Sequence, residues 1–105
     1  MKGYRVDVSD PAKRDVLDIA RYIAAELSAP ESAMDMAEEF YAGMKSLEEN
    51  PKRQPLVRDE RLAAKGYRTL PIKNYLIFYI VSEKARFVDV VRILYNRRDW
   101  VNLLY

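Results

Sequence analysis

The 105 residues are one domain's worth of chain, half of them hydrophobic and 32% charged, which suits a buried core and excludes a disordered tail, a collagen-like rod or a membrane span. With no cysteine and no histidine, thiol catalysis, disulfides, imidazole acid–base chemistry and thiolate or imidazole metal sites are excluded, leaving Arg, Lys, Tyr, Asp, Glu or Ser for any catalysis. The net charge of +2 is unevenly laid out: residues 1–44 hold 5 basic and 9 acidic side chains, residues 45–105 hold 13 and 7, so an anionic partner would meet the second half unless the imbalance is only a solvated surface.

The start, Met1-Lys2-Gly3-Tyr4-Arg5, has no apolar stretch behind its charges and is not a secretory signal, so a cytoplasmic location is expected. Tyr4-Arg5-Val6-Asp7-Val8 alternates apolar and polar residues and predicts a short strand. Asp10 is a candidate N-cap, with Pro11 at the first helical position where its missing N–H costs nothing. Val16, Ile19, Ala20, Ile23 and Leu27 then recur at helical spacing, predicting an amphipathic helix to about Ser28.

Ser28-Ala29-Pro30-Glu31 has the spacing of a capping box and opens a second helix. Its stripe, Ala33, Ala37, Phe40, Met44 and Leu47, repeats like a heptad and ends where Asn50-Pro51 forbids continuation. So short a connection makes the two helices an antiparallel hairpin. The stripe is expected to pack on the chain's own sheet; a homodimer through it is the competing reading.

Residues 51–55 form a loop, and 59–65 one helical turn before Gly66. Strands are predicted at 67–72, 75–81 and 87–95, with turns at Lys73-Asn74 and at 82–85. Short connections make these an antiparallel meander, and the unbroken apolar run at 75–81 its doubly covered strand. The predicted order is β-α-α-β-β-β: one α+β domain over residues 1–105, a helical hairpin packed on an antiparallel sheet.

Candidate chemistry lies in the second half. Arg92 stands among Val90, Val91, Ile93 and Leu94, so its charge must be paired, Asp89 and Asp99 being the near carboxylates, or face a partner such as a phosphate. Arg68 has the same two readings. Tyr95 ends the last strand, as a packing residue, a base-stacking ring or a proton-transfer group. Lys73, Arg97 and Arg98 are candidate phosphate- or target-binding cations. Tyr75 and Tyr79 are assigned to packing and Trp100 to anchoring the tail. Asp35, Glu38 and Glu39 read as a solvated helix face, and no metal site or cofactor is expected.

Asp59-Glu60-Arg61-Leu62, Gly66-Tyr67-Arg68, Asn74-Tyr75-Leu76-Ile77-Phe78-Tyr79 and Val91-Arg92-Ile93-Leu94-Tyr95, followed by Arg97-Arg98-Asp99, together resemble the RelE/ParE superfamily, the toxins of bacterial type II toxin–antitoxin modules. The resemblance implies one of two activities. RelE-like members cleave mRNA on the ribosome without a metal; Arg68 and Arg92 would then contact phosphate and Tyr95, where many relatives have histidine, would move the proton. ParE-like members inhibit DNA gyrase by binding it, and the long hairpin helices and modest net charge favour this activity. Either activity implies a cognate antitoxin, whose acidic segment would suit the basic half, and a toxin–antitoxin heterotetramer as an assembly alongside the homodimer.

Overall fold

In the computed structural model, which describes residues 3–96 and 104, the elements run β1 (Arg5–Val8), α1 (Asp10–Arg21), a π-helical turn (Tyr22–Glu26), α2 (Pro30–Ser46), a 3-10 turn (Pro51–Arg53), α3 (Glu60–Ala64), β2 (Tyr67–Ile72), β3 (Tyr75–Ser82) and β4 (Phe87–Tyr95). The α+β order is the predicted one. The sheet order is β1-β4-β3-β2, with β2, β3 and β4 forming the antiparallel meander. The sheet is mixed rather than antiparallel throughout, because β1 lies parallel to β4. The helical hairpin delivers β2 at the far edge, running the way β1 runs. Two reversals later β4 has that direction again and fits beside β1.

Local chemistry shifts both predicted caps. Ser9, not Asp10, caps α1: its Oγ accepts from the Ala12 N–H at 3.1 Å and donates to the Val91 carbonyl at 2.7 Å. The Ser28–Glu31 capping box does not form. Ser28 takes a left-handed φ of 50°, and Ala29 stands at the cap of α2 without a side-chain bond. The far end of α2 is closed by Arg53, whose guanidinium donates to the carbonyls of Ser46, Glu49 and Asn50, a cation on the negative end of the helix. Asp59 caps α3 through the Arg61 and Leu62 N–H groups.

The heptad-like stripe is absorbed by the chain itself. Ala33, Phe40, Met44 and Leu47 are buried; the last three join Ala12 and Val16 of α1 over Ile77, Tyr79, Val88, Val90 and Ile93 of the sheet, with Ala37 packed alongside. Truncating a fully buried ring such as Phe40 costs about 3–5 kcal/mol. Gly43 lets α2 come close to β2: a Cβ there would stand 2.9 Å from Ile72 Cδ1. The second sheet face carries Leu62 of α3 against Tyr67, Phe78 and Leu94, with Leu104 packed against them. Ile77, Phe78 and Tyr79 are all fully buried, so β3 is covered on both faces, as its unbroken apolar run requires.

Candidate functional site

Arg92 is held by a carboxylate that its own neighbourhood in sequence does not contain. Its Nε and Nη2 donate to the two oxygens of Asp15 on α1 at 2.7 and 2.9 Å, and the Ile93 N–H donates to the same carboxylate at 2.9 Å. Asp89, one of the expected partners, is replaced for a topological reason; Asp99, the other, lies outside the described residues. β1 stops pairing with β4 at Val8–Val90, which leaves the β4 edge open beyond that point, and α1 drops Asp15 onto it. The register of β3 and β4 shifts between Phe78 and Tyr79, so Val91 is an extra residue, a bulge anchored by the Ser9 hydroxyl. The hydrogen bond to Asp15 raises the Arg92 guanidinium above its ordinary value, against a lowering by burial.

Arg68 is likewise engaged. Its Nη1 donates to the Gln54 carbonyl, where residues 54–57 run along the outer edge of β2 through the Leu56–Arg68 bridge and the Val57 N–H to Tyr67 carbonyl bond. Arg68 stands opposite Tyr79. The Tyr79 hydroxyl donates to the Pro51 carbonyl at 2.6 Å, and burial raises its phenol above the usual range while Arg53 and Arg68 pull it down.

Tyr95 stands opposite Tyr75, the two rings edge to face at 5.5 Å. Arg68, Arg92 and Tyr95 therefore do not converge. Tyr75 and Tyr79 lie four residues apart along β3, so Arg68 and Tyr95 are displaced by about 13 Å along the strand direction. Arg92 and Tyr95 stand on opposite faces by strand alternation. What the fold does bring to Tyr95 is Lys73, which sits at the β2–β3 turn with a left-handed φ of 52° and pairs with Glu39 at 3.3 Å. Arg97, Arg98 and Trp100 lie outside the described residues.

Lys73 and Tyr95 border a groove of about 800 Å³ between the bend of the helical hairpin and the β2–β3 turn. Its buried side is Ile23 with the half-buried Met36 and Tyr75; its lip is Tyr22, Leu27 and Tyr95, each more than half exposed. Phe40 braces Tyr75 from behind, rings edge to face at 5.5 Å. The π-helical turn widens the backbone here and sets Tyr22 and Ile23 on the groove, a device often found at functional sites. Asp35, Glu39, Lys73, Asn74 and Ser32 complete the lining. Burial raises the Tyr75 phenol, with Tyr95 and Tyr22 adding to the effect, so at neutral pH it is an uncharged hydrogen-bonding group. Among the described residues no three acidic side chains gather to hold a metal ion, and no helix is long and apolar enough to cross a membrane.

Sequence reasoning passed over most of this groove. Leu27 belonged to a stripe expected to be buried and is 57% exposed; Asp35 and Glu39 are exposed, as a solvated helix face requires, and also border the groove. Asp15 left one faint signal, a carboxylate beside Val16 on the inward side of α1.

Residues 6–100 match the family described as ParE toxin of type II toxin–antitoxin system, parDE. The chain is similar in structure to the chromosomal ParDE toxin–antitoxin system from P. aeruginosa, at TM-score 0.73 and 18% identity over 90% of this chain and 97% of that one. It is similar to the toxin–antitoxin complex RelBE2 from Mycobacterium tuberculosis at TM-score 0.58 and 20% identity, covering 90% and 99%. The intact E. coli RelBE toxin–antitoxin complex gives TM-score 0.56 and 15% identity, again covering 90% and 99%. No curated protein matches the chain in sequence.

Proposed function

The chain belongs to the family of ParE toxins of type II toxin–antitoxin systems, and from that premise we propose that it arrests growth in the cytoplasm by binding and inhibiting DNA gyrase, not by cleaving mRNA. The observation that carries this reading is the engagement of both strand arginines within the chain. Metal-free cleavage of a phosphodiester needs cations aimed at the phosphate together with a proton-transfer group in reach of the same atoms. Here the Arg92 fork is filled by Asp15, Arg68 is turned to Gln54, and Tyr95 stands apart against Tyr75. Such an arrangement supports inhibition by surface binding. A cognate antitoxin is the neutralising partner, a reading supported by the solved relatives, which are toxin–antitoxin systems or complexes.

Expression without antitoxin, following growth, mRNA integrity and plasmid supercoiling together, tests this. Loss of supercoiling with intact mRNA is expected, and Tyr95→Phe is expected to arrest growth as fully as the parent chain. Early mRNA cleavage that Tyr95→Phe abolishes would establish the nuclease reading instead.

A further inference from the structure

A toxin that works by binding must present a surface to its target, and three of the large hydrophobic side chains exposed among the described residues gather at one place. Tyr22, Leu27 and Tyr95 keep 53%, 57% and 52% of their surface exposed, and all three open onto the same groove. Single exposed hydrophobes need no explanation; three around one concavity mark an interaction site.

The charge on the groove decides what kind of partner fits. Asp35 and Glu39 face it with Lys73 as the counter-charge, and Lys73 is already paired to Glu39. Among the described residues no cation pairs with the Asp35 carboxylate. A nucleic-acid backbone gains affinity by having its phosphates neutralised, which this rim cannot do. An apolar protein segment with a neighbouring Lys or Arg meets both the rings and the carboxylate, in the manner of a segment laid in a hydrophobic groove. The volume, about 800 Å³, lies in the range of sites that enclose several such groups.

Resting on the gyrase reading, we propose that this groove is the target-docking site and receives an apolar, cation-bearing segment of the gyrase protein. The antitoxin is the less fitting occupant. An acidic antitoxin segment complements the basic second half of the chain, whereas seven of the eleven groove residues, Tyr22 to Glu39, come from the acidic first half.

The test uses the full-length chain and three variants, Leu27→Ser, Asp35→Lys and, away from the groove, Leu17→Ser. All three positions are exposed, so circular dichroism should be unchanged. Binding to purified gyrase and to the cognate antitoxin is measured by biolayer interferometry at low and high salt. Leu27→Ser and Asp35→Lys are expected to weaken gyrase binding about tenfold or more, a loss of about 1.4 kcal/mol or more. Asp35→Lys should also reduce its salt dependence. Leu17→Ser should bind as the parent does, and all variants should keep antitoxin affinity within about twofold. Unchanged gyrase affinity in folded Leu27→Ser and Asp35→Lys overturns the docking site while leaving the gyrase reading standing. A loss confined to the antitoxin assigns the groove to the antitoxin and overturns it too. A parent chain that does not bind gyrase refutes the gyrase reading itself, and the docking site with it.

Discussion

Asp15 joins α1 to the last strand, and its removal should be felt throughout the molecule. Asp15→Ala takes away the acceptor of three hydrogen bonds, two from the Arg92 fork and one from the Ile93 backbone. The Arg92 side chain keeps 29% of its surface exposed, so water can rehydrate the guanidinium, and its share falls at the low end for a charge-assisted bond, about 1.5 kcal/mol. The Ile93 N–H lies on a strand edge behind α1, and leaving it unmet adds about 1–2 kcal/mol. The expected loss is about 3 kcal/mol, which for a domain of this length lowers Tm by about 15 °C. Thermal unfolding of Asp15→Ala, Arg92→Ala and the double variant checks it. The double variant should cost little more than Asp15→Ala alone, with a coupling energy of about 1–2 kcal/mol. Strictly additive single effects, or a Tm within about 3 °C of the parent for Asp15→Ala, would refute the claim that this pair ties the helix to the strand.

Two further outcomes follow from other polar contacts. Tyr79→Phe leaves the Pro51 carbonyl without its 2.6 Å donor in a fully buried place, and should cost about 1–2 kcal/mol in urea unfolding, with the m-value unchanged. The Glu83 carboxyl is held below its ordinary 4.5, first by the Tyr4 hydroxyl and then by Lys52. A depressed carboxyl stabilises the fold above its unfolded value and loses that contribution as pH falls through the folded one. Glu83→Gln should therefore be less stable than the parent at neutral pH, with the two profiles converging as pH falls below 4.5; profiles that coincide at neutral pH would count against the contact.

The parts of this fold that the sequence announces are those governed by nearby residues. The three meander strands begin and end within a residue of where alternation and turn chemistry place them, and the Phe40–Met44–Leu47 stripe packs where its spacing points. What stays hidden depends on residues far apart in the chain. Nothing local to β1 says that it will lie parallel to β4, and nothing near Arg92 says that its partner stands 77 residues earlier. The caps slip for a subtler reason. Ser9 and Asp10 are both good capping residues, and the choice falls to Ser9 because its hydroxyl also reaches Val91. The groove escapes because it is made by an irregularity, a π-helical turn and a left-handed Ser28, that helical periodicity does not encode. Arg68, Arg92 and Tyr95 are visible as unusual residues. Their separation becomes visible only once register and bulge are known.

The parallel pairing of β1 with β4 also governs when the protein can exist. Ser9 bonds to Val91, Asp15 to Arg92 and Tyr4 to Glu83, contacts that join residues 77 to 82 positions apart and that local helix formation cannot anticipate. During synthesis, at roughly 5–20 residues per second, the helical hairpin emerges with its apolar stripe uncovered, because Val88, Val90 and Ile93, which cover it, are made after it. The stripe therefore waits for β4 before it is covered. The groove waits for it too, because Tyr95 forms part of its lip, so a chain aborted before β4 would lack both its core and that surface.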